Sequence, residues 1–204
     1  MNTQTFFRST AAALLCAGTL ASAPAAALTI NFETLADGEA LTSQFAGLTF
    51  SNAVALHAGV SLNEFEFPPR SGSVVIADDG GPIGVSFANP VSHIDAYFTY
   101  ASPVTLTAFD VLDQVLGSVT STYGSNLALS GDAGSSPNEL LQLAFAAGIA
   151  RLALTGDPAG YSFVLDDLSF TPTAVPIPEP ATPLLTMIGF FGLLAGRRFL
   201  AVQR

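Results

Sequence analysis

Between residues 28 and 171 the chain is cut into short runs of β-branched and aromatic residues, separated every few positions by Gly, Pro, Asn, Asp or Ser. Helices shorter than about 12 residues are marginal without tertiary support, so this punctuation leaves strands as the available element. Thr29 to Glu33 alternates apolar and polar residues. Val104, Leu106 and Ala108 alternate with Thr105 and Thr107 until Phe109 interrupts. A period of two places one face of a strand in a core and the other in water. Strands are expected at 28–33, 47–51, 74–77, 83–87, 93–100, 104–111, 115–120, 140–145, 149–155 and 161–170, with 138–147 the one segment that also reads as a short helix. Asp78-Asp79-Gly80-Gly81-Pro82 is a turn by its chemistry, Asp110 to Gln114 a hairpin connection and Ser130 to Asn138 a long polar loop. No internal repeat is visible. So many short strands in one stretch predict an all-β fold, an antiparallel β-sandwich.

The apolar content is sufficient for one core: the chain has sixteen Phe and no Trp, and Val, Leu and Ala are frequent in its middle. All sixteen acidic residues fall between Glu33 and Glu179, where the basic residues are Arg70 and Arg151, a balance of −14. Such a surface repels nucleic acid and anionic lipid and favours cations, calcium included. The single cysteine, Cys16, lies in the N-terminal apolar segment. The domain after it therefore has no disulfide and is held by its core.

The two ends have a different character. Arg8, the apolar run Ala11 to Leu20 and Ala25-Ala26-Ala27 form a secretory signal peptide over residues 1–27, to be cut by signal peptidase. At the other end, residues 172–182 form a Pro-rich linker after the 28–171 domain, and residues 176–204 a second signal. Pro176, Pro178, Glu179 and Pro180 keep the backbone extended. Pro183 to Gly196 carries no charge, and Arg197 and Arg198 follow. Arginines after an apolar run hold that end in the cytoplasm, which gives a transmembrane helix at about 183–200. Fourteen uncharged residues cover about 21 Å of a hydrocarbon core of about 30 Å, which suits a transient anchor.

Pro178-Glu179-Pro180, the short hydrophobic helix and the Arg197-Arg198 pair resemble the PEP-CTERM sorting signal. That resemblance implies recognition by an exosortase near the Pro-Glu-Pro motif, and delivery from the inner membrane to the cell surface or exopolysaccharide matrix. Ile30-Asn31-Phe32-Glu33 and Phe163-Val164-Leu165-Asp166-Asp167-Leu168-Ser169-Phe170 make the domain similar to small jelly-roll domains that accompany this signal and resemble carbohydrate-binding modules. The resemblance implies adjacent first and last strands and a structural Ca2+ held by Glu33 with Asp166 or Asp167, since calcium takes six to eight converging oxygens.

Other groupings bear on chemistry. His57, Glu64 and Glu66 share one loop-like region, and His93 opens an apolar run. Asp78 and Asp79 lack the spacing of a calcium loop, and no Gly-x-Ser-x-Gly or phosphate-binding glycine loop occurs. Tyr97, Phe98, Tyr100 and Tyr123 are candidates for a sugar-stacking face. The expectation is an exported surface or matrix protein whose non-catalytic β-sandwich binds polysaccharide. The alternatives are an extracellular glycosidase or polysaccharide lyase using Glu64, Glu66, Asp95 or Asp110, and an envelope spacer without a ligand.

Overall fold

The computed structural model describes residues 26–173. The leader residues, Pro178, Glu179, Pro180, Arg197, Arg198 and the expected membrane helix lie outside that range. Among the described residues no helix is long and apolar enough to cross a membrane.

Nine strands form: β1 (Leu28–Ile30), β2 (Leu48–Ser51), β3 (Ala53–His57), β4 (Val74–Asp78), β5 (Ile83–Tyr100), β6 (Thr105–Phe109), β7 (Val115–Thr120), β8 (Glu139–Thr155) and β9 (Phe163–Pro172). All strand pairs are antiparallel, in the order β3-β4-β9-β5-β8-β6-β7, with β1 also on β9 and β2 also on β5. The first and last strands are neighbours, with Leu28 opposite Phe170 and Ile30 opposite Leu168.

Two strands run through both halves of the sheet. The first part of β5, Ile83 to Ser86, pairs with Leu154 to Arg151 of β8, and its last part, His93 to Phe98, pairs with Ala144 to Glu139. The register slips between Ser86 and His93, where the strand bends. One half of the sheet is thus β2, early β5, late β8, β6 and β7; the other is β3, β4, β9, β1, late β5 and early β8. Val85, Leu106, Leu152 and Leu154 from the first half join Ile76, Ile94, Phe98 and Leu165 from the second in one apolar cluster. A flat sheet cannot bring these residues together, so the sheet folds over on itself into two facing layers. Phe32, Phe45 and Phe50 close one end of the cluster with edge-to-face contacts 5.6 to 6.4 Å between centroids.

The departures from the sequence reading are local. The runs at 83–87 and 93–100 are one strand, as are 140–145 and 149–155. Residues 138–147, the alternative short helix, are the start of β8: Leu141 and Leu143 face the core while Gln142 and Ala144 face out, which is the period of a strand. β3 was not among the expected strands.

Candidate functional site

The outer face of the second half-sheet is partly roofed. Val54, Leu56, Val75, Ala77 and Val164 point away from the main core, and residues 58–73 cross over them as a strap that adds Leu62 and Phe67 to a second, smaller apolar cluster. What holds the strap is a set of carboxylates accepting backbone N–H groups. Asp37 accepts from His57 N at 2.8 Å and from the Ser61 hydroxyl. Glu66, within the strap, accepts from Leu129 N and Ser130 N at 3.0 and 3.2 Å. Asp166 accepts from Arg70 N at 2.7 Å and Ser71 N at 2.9 Å, and Asp167 from the Ser71 hydroxyl at 2.8 Å. Glu33 accepts from Ser73 N and Val74 N at about 3 Å. Charged acceptors of this kind make hydrogen bonds roughly twice as strong as neutral ones.

Glu33, Asp166 and Asp167 therefore do converge, on the five residues Arg70 to Val74. Asp166 and Asp167 share the outer side because the register slips there, with Ala96 opposite two residues of β9 and Asp167 at φ 50°. Burial pushes the Asp166 carboxyl up to about 6, with the charge of Asp167 adding to it against the pull of the surrounding amides. As a calcium site this donor set does not fit. N–H groups occupy the Glu33 and Asp166 oxygens and the Ser71 hydroxyl occupies Asp167 Oδ1, and among the described residues no group of three or more His, Cys, Asp or Glu is arranged to hold a metal.

Beyond the strap the same face is open and polar. Register places Thr29 beside Ser169, Ser169 beside Asp95, and Asp95 beside Gln142, one residue from each of β1, β9, β5 and β8. At about 4.8 Å between strands this row spans about 14 Å. Its first pair is joined by a hydroxyl–hydroxyl hydrogen bond of 2.9 Å. Along β5 the row is flanked by His93, 4.0 Å from the Asp95 carboxylate, and by Tyr97, whose ring carries the Arg70 guanidinium 4.4 Å above its centroid. Asp95 Oδ1 is buried without a hydrogen-bond partner.

The other candidates fall elsewhere. Phe98 and Tyr100 are fully buried. Burial and a hydrogen bond to Glu139 push the Tyr100 hydroxyl up to about 12. Tyr123 is half-buried and donates to Gly134 O at 3.0 Å. His57 Nε2 lies 2.9 Å from Leu35 O. Glu66 Oε2 and Asp110 Oδ1 each accept from two backbone amides, Asp110 from Leu112 N and Gln114 N in its turn. Asp78 is buried, which raises its carboxyl above the ordinary range. Asp79 accepts from the Tyr161 hydroxyl at 3.1 Å. Tyr161 was placed inside the last strand by the sequence reading. It stands before it, exposed and at φ 55°, over a small cleft of about 170 Å³ with Leu56, Leu62 and Asn63.

No family model matches the sequence, and no curated protein matches it. Among solved structures, the K2 cleaved adhesin domain of Lys-gingipain is 17% identical over 72% of this chain and 99% of its own, with a TM-score of 0.46. A family 11 carbohydrate-binding module from Clostridium thermocellum, in complex with a β-1,3-1,4-mixed-linked tetrasaccharide, is 10% identical over 74% of this chain and 98% of its own, with a TM-score of 0.35. A family 6 carbohydrate-binding module is 10% identical over 65% and 92%, with a TM-score of 0.35.

Proposed function

We propose that this chain is an exported, non-catalytic module that binds a polysaccharide along the row Thr29, Ser169, Asp95 and Gln142. The observation that carries the reading is the Asp95 carboxylate at the middle of that row. Its side chain is 27% exposed while Oδ1 is enclosed, so Oδ2 is the oxygen that faces the row. A sugar hydroxyl lying on the row donates to Oδ2, a charge-assisted bond, and the neighbouring hydroxyls and amide engage the next hydroxyl groups along the glycan. Tyr97 and Arg70 wall one side, which fixes the direction of the chain. Of the four carboxylates in the catalytic alternative, Glu66 and Asp110 each have one oxygen held by two backbone amides. Secretion through residues 1–27 and exosortase sorting through Pro178-Glu179-Pro180 complete the proposal and put the module at the cell surface or in its matrix. Both rest on the sequence motifs.

The test is affinity electrophoresis and calorimetry of the purified protein against soluble polysaccharides, beside Asp95→Ala. The expected result is binding by the parent and a loss of at least tenfold in the variant, with the melting midpoint unchanged or raised because an enclosed, unpartnered oxygen is gone. Undiminished binding by Asp95→Ala, or no binding to any glycan tried, defeats the proposal.

A further inference from the structure

The row Thr29, Ser169, Asp95 and Gln142 is uneven in charge. Two hydroxyls and an amide are neutral, and Asp95 is its one acidic member. Among the described residues the one ion-pair partner of Asp95 is His93, whose Nε2 stands 4.0 Å from Oδ2, beyond hydrogen-bond reach. Oδ1 is enclosed and has no donor. A carboxylate with one oxygen out of water is less screened than one on an open surface, so a cation brought to its other oxygen is held more strongly.

The surroundings act in the same direction. Fifteen Asp and Glu lie between residues 26 and 173 against Arg70 and Arg151, and the chain has no lysine. Arg151 is engaged by Asp113, with Nε 2.9 Å from Oδ1. Arg70 lies over Tyr97, on the flank where Glu33, Asp166 and Asp167 hold the strap, so that flank is also negative in sum. A uronate chain laid along the row is repelled by these groups. A neutral chain gains nothing from them, and a cationic one is drawn in.

We infer that the polymer taken by this row is an amino-sugar polysaccharide with free ammonium groups, one of which donates to Asp95 Oδ2. The inference rests on the saccharide reading and narrows it to one class of glycan. The hydroxyls of the neighbouring sugars fall to Thr29, Ser169 and Gln142, so recognition joins one charged contact to several neutral ones. An N–H donor that carries a full positive charge makes a stronger bond to a carboxylate than a sugar hydroxyl does, and acetylating the nitrogen removes that charge.

The test is calorimetry of the full chain against glycol chitosan and against the same polymer after complete re-N-acetylation, in about 0.15 M salt, where the Debye length is about 8 Å and distant carboxylates are largely screened. The parent is expected to bind the amine form at least tenfold more tightly than the acetylated form. Asp95→Asn keeps the size of the side chain and removes its charge, and should cut that preference to about twofold or less. Asp79→Asn, beside Tyr161 and away from the row, removes one charge from the same acidic domain and should leave the preference intact. In about 1 M salt, where the Debye length is about 3 Å, the parent's preference should shrink toward that of Asp95→Asn. A parent that binds both forms equally overturns the inference, and so does a preference that survives in Asp95→Asn, which would assign it to the overall acidity of the domain. Neutral glycans bound by the parent and lost in Asp95→Ala leave the saccharide reading standing in either case, so the two proposals fail separately.

Discussion

Gly72 shows how closely single residues set this structure. It sits at φ 53° between the residues bound by Asp166 and those bound by Glu33, and a Cβ built there falls inside the Glu33 carboxylate. Gly72→Ala is expected to lower stability by about 1–3 kcal/mol in denaturant unfolding, through both strain and displacement of an acceptor from two amides. Asp166 makes a prediction of opposite character in pH. Folding raises its pKa from 3.8 to about 6, so the native chain holds the proton more tightly than the unfolded one. Stability from this group is then fully present below about 4 and is lost as pH rises through about 6. Between pH 7 and 5 the protein should gain about 1 kcal/mol relative to Asp166→Asn, read from paired denaturation curves. The resemblance implied a Ca2+ held by Glu33 with Asp166 or Asp167; in the structure all three accept hydrogen bonds from residues 70–74. Residue type alone could not say whether the partner of a carboxylate cluster would be a cation or a loop of N–H groups. That depends on where residues 70–74 run.

At the scale of elements, alternation located most of the strands, and β7 was placed to the residue. It failed in two ways with physical causes. Strands that turn a corner, β5 and β8, were read as pairs of short ones because the bend brings in Ala88-Asn89-Pro90 and Gly148, the residues that usually mark a loop. β3 was missed because its inward residues are Ala53 and Ala55, too small to give a hydrophobic period. The strap was invisible for a related reason: its shape comes from contacts with residues 33, 37, 128–130 and 166, all distant in sequence. The row across β1, β9, β5 and β8 was equally hidden, since register between strands is not written in any one of them. Asp95 had been noted as a carboxylate, but its unpaired oxygen is a property of the assembled face.

For the whole molecule, one core shared by two layers should unfold as a unit. Chelation enters here as a test: with the Glu33 and Asp166 oxygens bound to amides and Asp167 to the Ser71 hydroxyl, EDTA is expected to leave the midpoint of a single cooperative melt unchanged. A drop of several degrees, reversed by added Ca2+, would show a cation displacing those amides. The pairing of Leu28 with Phe170 has a consequence for how the domain is carried. Both backbone exits lie at one pole, and β9 runs ten residues, about 33 Å, from there to the opposite pole. Tyr161 therefore stands at the pole opposite both described ends, and the row Thr29, Ser169, Asp95 and Gln142 crosses the strands on the flank between the poles, so whatever is joined to either end leaves that flank open from the side.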